Sequence, residues 1–313
     1  LLLTLGLAHQ VLAQEYPQKS IRVIVPWPAG GFVDVAARLT AEQLTSTLGQ
    51  ALVIENKPGA GGMIGADAVA KAQGDGYTLL FTTSALTMNT ALRTSMPFDL
   101  KTDLVPIAIA AYSPSVIVVH PMLGVKTLQE LVALAKQQPG KLTFASYGTG
   151  RPGHLSGELF MKLTGTEMLH IPYKGSSPSI ADVVAGRATM SFAVLEPVLP
   201  FVKSGHVKAL GVVMAERATQ LPQMPTIGET VNGFAISGFN GVCAPSATPK
   251  PVIERLNAAI IKVMTNPAVR DRLIKSGSDV LERPLPTPEF ETFVRGEVLR
   301  WQKIVQDAGV KVN

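Results

Sequence analysis

The feature that most constrains the fold is a repeated alternation of short apolar runs with helix-forming stretches. Residues 21–27, 51–57 and 78–83 are short runs rich in strand-forming residues, and helical spacing separates them over 34–48 and 61–72. Strands that alternate with helices predict βαβ units, in which helices cover both faces of a largely parallel sheet. The first part of the chain is therefore expected to form an α/β lobe.

The alternation stops at residues 105–120, a long β-rich stretch that is broken in its middle, and it then starts again. We interpret this stretch as a strand that leaves one lobe and enters another, and the Pro/Gly-rich segment from about 214 to 249 as the return crossing. The expected lobes are residues 16–115 with 235–313, and residues 116–234. A chain of 313 residues also exceeds what one core ordinarily serves, which favours two lobes.

The first residues indicate export. Residues 1–8, LLLTLGLA, are apolar but too short to span a bilayer, and small or apolar residues follow at Val11 and Ala13. This pattern predicts the remnant of a secretory signal peptide over 1–13, cut after Ala13, and hence a periplasmic protein. A buried first strand or helix is the alternative.

Composition narrows the class of partner. The net charge is only +5 and the basic residues are scattered, so no nucleic-acid partner is expected. Cys243 is the single cysteine, which excludes an internal disulfide and predicts a buried structural thiol. We expect a monomer.

The first candidate binding segment is VPWPAGGFVD, residues 25–34, where a strand gives way to a Pro/Gly loop and a helix. Gly30 and Gly31 let the backbone approach a ligand, and the positive end of the helix suits a carboxylate. Asp34 is expected to cap the helix and to pair with Arg38. A strand–helix turn without a ligand is the alternative.

The second candidate segment, residues 143–160, repeats this strand–loop–helix pattern. Its hydroxyl groups and the amides from Gly148 to Arg151 are suited to an anion, and Arg151 offers a bidentate fork unless it is a solvated surface residue. His154 is expected to cap or hydrogen-bond the helix start. Farther on, Tyr173 either contacts a ligand or packs in the core, and Lys174 is expected to face solvent.

Motifs for enzymes and cofactors are absent from the sequence. Residues 56–65 imitate a dinucleotide loop, but Ile64 stands where the third glycine is required, and no P-loop occurs. No serine has the glycines of a nucleophile elbow, and the five histidines lack H-x-x-x-H spacing. We therefore expect no catalysis, no metal and no cofactor.

Several segments, taken in order, resemble one known family. They are YPQKSIRVIVPWPAGGFVDVAARL, VIENKPGAGGMIGADAVAKAQGDGYTLLF, FASYGTGRPGHLSGELF, HIPYKGSSPSIADVVAGRATMSF and LPQMPTIGET. This series is similar to the signatures of the tripartite tricarboxylate transporter receptors, the TctC-like or Bug solute-binding proteins, and it covers residues 16–313. The resemblance implies a type II-like, two-lobed periplasmic binding protein (Venus flytrap) fold. It also implies capture of a small carboxylate, whether a di- or tricarboxylate, an acidic amino acid or an aromatic acid, for the permease subunits of a membrane transporter.

The resemblance also implies a cleft site built on backbone amides and ordered water in the loop after the first strand of each lobe. Arg151 departs from the family pattern, in which a small polar residue is common at this position. Glu196 places a carboxylate at a variable position of the cleft. Because of these two residues, the ligand of any one relative cannot simply be assigned to this protein. The expected ligand-binding residues are Pro28, Ala29, Gly30, Gly31, Phe32, Ser84, Ser146, Gly148, Thr149, Gly150, Arg151, His154, Tyr173 and Glu196.

Three other functions remain open at this point. The same closed lobes could dock on a signalling protein instead of a permease, and the sequence does not separate the two. A hydrolase would need a nucleophile and a base that face the cleft together. A DNA-binding regulator is disfavoured because no helix-turn-helix region precedes the lobes.

Overall fold

A computed structural model describes residues 16–92, 95–234, 236, 238–280, 285 and 287–308. The expected signal peptide therefore lies outside the described residues. The strands are β1 Ile21–Val25, β2 Leu52–Asn56, β3 Thr78–Thr83, β4 Leu104–Tyr112, β5 Ser115–Val119, β6 Thr143–Ser146, β7 Leu169–Pro172, β8 Met190–Val194, β9 Lys208–Val212 and β10 Phe239–Pro245. The helices are α1 Phe32–Leu48, α2 Met63–Ala70, α3 Ser84–Leu92, α4 Leu128–Gln137, α5 Pro152–Thr164, α6 Ser176–Val184, α7 Leu195–Lys203, α8 Lys250–Met264, α9 Pro267–Lys275 and α10 Thr287–Ala308.

The strands form two five-stranded sheets with the same topology. The first has the order β2-β1-β3-β10-β4 and the second the order β7-β6-β8-β5-β9. In each sheet the first three strands are parallel, and the fourth runs antiparallel to both of its neighbours. The antiparallel strand is in each case the one that enters from the other lobe. This arrangement confirms the expected two-lobed α/β fold of a type II periplasmic binding protein.

Equivalent loops follow β1 in the first sheet and β6 in the second, each of which is the second strand in the order of its sheet. β1 leads through a Pro/Gly loop into α1, and β6 leads through a second glycine-containing loop into α5. Because the carboxyl ends of parallel strands share one edge of a sheet, each loop lies at the edge where α/β proteins hold ligands. The repeated pattern that the sequence predicted therefore places one loop from each lobe at the cleft.

The chain crosses between the lobes at Tyr112–Ser115 and again before Phe239. The backbone groups of Tyr112 and Asp279 exchange two hydrogen bonds, of 2.6 and 2.9 Å, beside the first crossing. The Asp279 carboxylate also accepts a hydrogen bond from the amide of Thr219 in the second lobe, at 3.1 Å. These bonds tie the segment after α9 to the end of β4 and to the second lobe, beside the first crossing.

Helix α10 packs on both lobes. Its residues Phe290, Val294 and Val298 are buried in a cluster with strands of the first lobe. Trp301, which is fully buried, and Val305 belong to a cluster with Phe144, Phe192 and other residues of the second lobe. The core therefore continues from one lobe to the other along this helix.

Two elements differ from the sequence-based expectation. Ser84, an expected ligand-binding residue, is the first residue of α3, a helix that the sequence pattern did not predict. The Pro/Gly-rich segment expected to be a simple return contains β10, which holds the buried Cys243. Burial raises the pKa of the Cys243 thiol to about 12, so this cysteine is an inert structural residue, as predicted.

Candidate functional site

A cavity of about 910 Å³ lies between the two lobes. Its walls come from the loops after β1 and β6, the start of α3, the loop after β7 and both crossing segments. Among the described residues that line it, none is Asp or Glu, whereas Arg151 and Lys174 are cationic. A cavity with this lining favours an anionic ligand.

All but three of the predicted site residues line this cavity. Those that the structure brings together are Pro28, Ala29, Gly30, Gly31, Phe32, Ser84, Gly148, Thr149, Gly150, Arg151 and Tyr173. Lys174 is exposed, as expected, but it also lies on the cavity wall. Sequence reasoning missed Trp27, Asn89, Ser113, Phe239 and Asn240. Trp27 could have been found because it adjoins the Pro/Gly loop, but nothing local marks the others.

The loop after β1 is held by a buried carboxylate. Asp34 was expected to cap α1, but the capping position is Gly31, and Asp34 lies in the first turn. Its Oδ2 accepts hydrogen bonds from the Gly30 amide and from Arg38 Nε, both at 2.9 Å, and Oδ1 accepts one from Asn56 at 2.9 Å. Burial by itself raises the pKa of Asp34, but these three donors outweigh it and hold the pKa below its usual value. The Gly30 amide is thus already hydrogen-bonded to Asp34 within the protein.

The loop after β6 is held in an equivalent way by a histidine. The Gly150 amide donates to Nδ1 of His154 at 3.1 Å, and His154 Nε2 lies 3.3 Å from Oε1 of Glu158. Because Nδ1 accepts a hydrogen bond from the Gly150 amide, the ring carries its proton on Nε2, which faces Glu158. His154 is buried behind the loop and does not line the cavity, so its expected place in the ligand contact set is not supported.

Ser146 also lies behind the loop. Its side chain is fully buried, and Oγ is 2.7 Å from Nε2 of His170, whose ring stacks on that of His154 with centroids 4.0 Å apart. Burial, and then the neighbouring His154, lower the pKa of His170 to about 4. The pair has the distance of a nucleophile and its base, but Ser146 does not line the cavity. A substrate in the cleft therefore cannot reach this hydroxyl, and the expected ligand contact of Ser146 is not supported.

Glu196 is the third residue that lies away from the cavity. Its side chain packs against Gly277 of the segment after α9, where a Cβ atom would overlap Glu196. Partial burial raises the pKa of the Glu196 carboxyl. Glu196 therefore contributes to contact between the lobes and does not lie on the cavity wall.

Arg151 makes a contact across the cleft. It is the capping residue of α5 in the second lobe, and its guanidinium lies over the indole ring of Trp27 from the first lobe, 4.3 Å from the ring centroid. Cation–π attraction of this kind is strongest with tryptophan. The lobes are therefore in direct side-chain contact over the ligand cavity.

The two tyrosines of the cavity present their rings and not free hydroxyl groups. The Tyr147 hydroxyl accepts a hydrogen bond from the Gly153 amide at 3.2 Å, and burial raises the Tyr147 pKa to about 12. The Tyr173 hydroxyl donates to Asp182, whose other oxygen is bound by Arg187. Burial and the Asp182 carboxylate raise the Tyr173 pKa to about 12. Both tyrosines therefore form apolar wall and carry no anionic charge at neutral pH.

Neither a metal site nor a membrane span is found in the described part of the chain. No three His, Cys, Asp or Glu side chains there are grouped so as to hold a metal ion. No helix among the described residues is both long and apolar enough to cross a bilayer.

Comparison with known proteins identifies the family of this chain. The model of the tripartite tricarboxylate transporter family receptor (TctC) matches residues 36–310. Protein BugT of Bordetella pertussis (strain Tohama I) is 36% identical over 314 residues, which cover 99% of this chain and 95% of BugT.

Solved structures agree with this result. R. palustris Rpa4515 with adipate superposes with a TM-score of 0.82 at 32% identity, covering 95% of this chain and 99% of that one. The periplasmic binding protein BugD superposes with a TM-score of 0.79 at 31% identity, covering 95% of this chain and 99% of BugD. MatC of Rhodopseudomonas palustris with bound malate superposes with a TM-score of 0.77 at 28% identity, covering 93% of this chain and 100% of MatC.

Proposed function

Since this chain belongs to the tripartite tricarboxylate transporter receptor family, a family of binding proteins and not of enzymes, we propose that it captures a small carboxylate between its lobes. The observation that carries the proposal is the interlobe cavity, which has two cationic side chains and no Asp or Glu among its described lining residues. A carboxylate would be attracted to such a site and a cation repelled.

Two relatives support a carboxylate as the ligand class. Rpa4515 was solved with adipate, and MatC was solved with malate. Both are small organic acids with two carboxyl groups, and the cavity of about 910 Å³ has room for molecules of this size. Dicarboxylates are therefore the first ligands to test, before acidic amino acids and aromatic acids.

The proposed contacts are those predicted residues that line the cavity. With the Gly30 and Gly150 amides bound to Asp34 and His154, the donors left in these loops include the uncapped first amides of α1 and the amide and hydroxyl of Thr149. A helix of this kind leaves its first N–H groups without backbone partners, and an anion satisfies them. Ser84 would add a hydroxyl from the start of α3.

We further propose that the protein works in the periplasm and delivers its ligand to the permease subunits of a tripartite transporter. The family relationship and the apolar N-terminal run support this location. N-terminal sequencing of the exported protein is expected to begin at Gln14. A soluble cytosolic pool with the leader intact would contradict export.

A thermal-shift screen tests the ligand class. A ligand that binds only the folded state raises the unfolding temperature. At a ligand concentration one hundred times the dissociation constant, it adds about 2.7 kcal/mol to the free energy of unfolding. Adipate, malate, glutamate and benzoate are expected to separate into binders and non-binders, and the dimethyl ester of adipate serves as an uncharged control of matched length. Equal shifts with adipate and its ester, or no shift with any acid, would contradict the proposal.

A further inference from the structure

The contact between Arg151 and Trp27 leaves the hydrogen-bonding edge of the guanidinium free. The indole covers one face of the planar group, 4.3 Å from its ring centroid. The N–H bonds of arginine lie in the guanidinium plane, so a face-on partner does not block them. Among the described residues, no hydrogen bond or ion pair involves this side chain, and Arg151 lines the cavity.

Among the described residues of the cavity wall, the charge of Arg151 has no counter-ion. Asp and Glu are missing from the described cavity lining, and the first turn of α5 holds no acidic residue. Arg151 also caps the positive end of that helix, where a cation is unfavourable. Partial burial lowers the Arg151 pKa, but a guanidinium stays protonated at any physiological pH. An arginine in this position therefore calls for an anion from outside the protein.

Trp27 adds a second donor that lacks an acceptor. Its indole N–H is buried, and no hydrogen-bond acceptor for it is found among the described residues. Buried donors are almost always paired, by protein or by water. The stack thus brings together a charged donor and a neutral donor, one from each lobe, without an acceptor between them.

We propose that Arg151 and Trp27 form an anion site across the cleft, in which the edge of Arg151 binds a ligand carboxylate directly while Trp27 holds the guanidinium in place. The inference rests on the proposed function and makes it more specific. Arg151 is the specificity-determining residue, and Trp27 is a positioning residue that engages only when the lobes meet. Because Trp27 and Arg151 belong to different lobes, binding of the anion and closure of the cleft are coupled.

The first test is calorimetry with adipate and malate on the R151Q variant. A charged hydrogen-bonding partner contributes enough that its loss is expected to weaken binding by about 10- to 150-fold. R295Q is the matched control: it removes the same charge from an exposed arginine of α10 that pairs with Glu291. It is expected to bind within about twofold of the wild type. R151Q binding equal to the wild type would overturn the inference.

The second test observes the stack without any ligand. The chain has two tryptophans, so W301F leaves Trp27 as the only one. Acrylamide is expected to quench Trp27 more strongly in W301F/R151Q than in W301F, because removal of the guanidinium uncovers the indole. Adipate is expected to protect Trp27 in W301F but not in the double variant. If W301F does not fold, the difference between the wild-type and W27F emission provides the same signal. Equal quenching in the two proteins, both without ligand and with saturating adipate, would overturn the stack.

The outcomes separate this inference from the proposed function. A wild-type protein that binds none of the acids would contradict both. A wild-type protein that binds adipate or malate, with an R151Q variant that binds equally well, would contradict the cross-cleft anion site alone.

Discussion

The backbone amide of Gly150 donates a hydrogen bond to Nδ1 of His154, four residues farther along the chain, at 3.1 Å. The first lobe repeats the relationship between the Gly30 amide and Asp34 Oδ2, at 2.9 Å. In both lobes a buried side chain in the first turn of the helix fixes the loop before it. Each loop is thus set in shape before a ligand arrives, which lowers the ordering cost of binding.

The two loop glycines are expected to be necessary for binding. Gly30 has φ +76° and Gly150 φ +71°, a region that costs a β-branched residue about 1–2 kcal/mol. Gly30→Val and Gly150→Val are each expected to shift the loop and to weaken adipate binding at least about tenfold, or ~1.4 kcal/mol, by calorimetry. Gly205→Val is the matched control, since Gly205 has φ +75° in open space after α7. It is expected to lose similar stability and to bind normally; an equal loss of binding there would contradict the interpretation.

His170 is expected to make stability depend on pH. Its pKa is about 4 in the folded protein against an ordinary value of 6.5, so between these values the unfolded state binds more protons. The contribution of His170 to stability is therefore fully present above pH 6.5 and decreases as the pH falls toward 4. Below pH 4 the protein has lost on the order of 2 kcal/mol of this contribution, after allowance for solvent screening of the half-buried ring.

Thermal unfolding between pH 7.5 and 4 measures this effect. His170→Gln is expected to flatten the dependence, because glutamine does not titrate. His206→Gln, at an exposed histidine, is expected to leave it as in the wild type. A slope unchanged by His170→Gln would show that other groups cause it.

Trp301 is expected to be among the most important stabilising residues. It is fully buried in the second-lobe cluster, and its Nε1 donates to the buried Glu297 at 3.2 Å. Trp301→Ala is expected to cost about 3–5 kcal/mol in urea unfolding, from lost burial and from loss of the donor to Glu297 Oε2, although Arg300 still pairs with Oε1. Leu299→Ala on the same helix, where the leucine is 61% exposed, is expected to cost less than about 0.5 kcal/mol. Comparable losses of unfolding free energy in the Trp301→Ala and Leu299→Ala variants would contradict the role of α10 as a bridge between the lobes.

The lobes are expected to close on the ligand. We propose that residues 16–115 with 235–313 move against residues 116–234 about the two crossing segments. Spin labels at Val53→Cys in β2 and Met122→Cys after β5 sit on exposed positions of different lobes, while Cys243 is buried. Adipate is expected to narrow the distance distribution between the labels. Identical distributions with and without saturating adipate would contradict a ligand-linked hinge.

The elements that the sequence predicted well are those with a strong local pattern. β1, β2, β3 and the helices α1 and α5 lie where apolar runs and helical spacing placed them. β10 was missed because FNGVCAP has little strand character of its own, and it becomes a strand by pairing between β3 and β4. Helix α3 was missed because Ser84 directly follows a strand, without a separating turn.

The sequence by itself determined two α/β units and the strand–loop–helix segments of the site, because the spacing of apolar residues and the positions of glycines are local properties. Only the tertiary structure decided which side chains meet. It placed Arg151 on Trp27, turned Ser146 and His154 behind their loop, and packed Glu196 on Gly277. The contacts of Ser146 and His154 depend on packing within the second lobe, whereas those of Arg151 and Glu196 depend on how the lobes sit against each other. Both kinds of packing are set by burial of residues distant in the chain, such as Trp301.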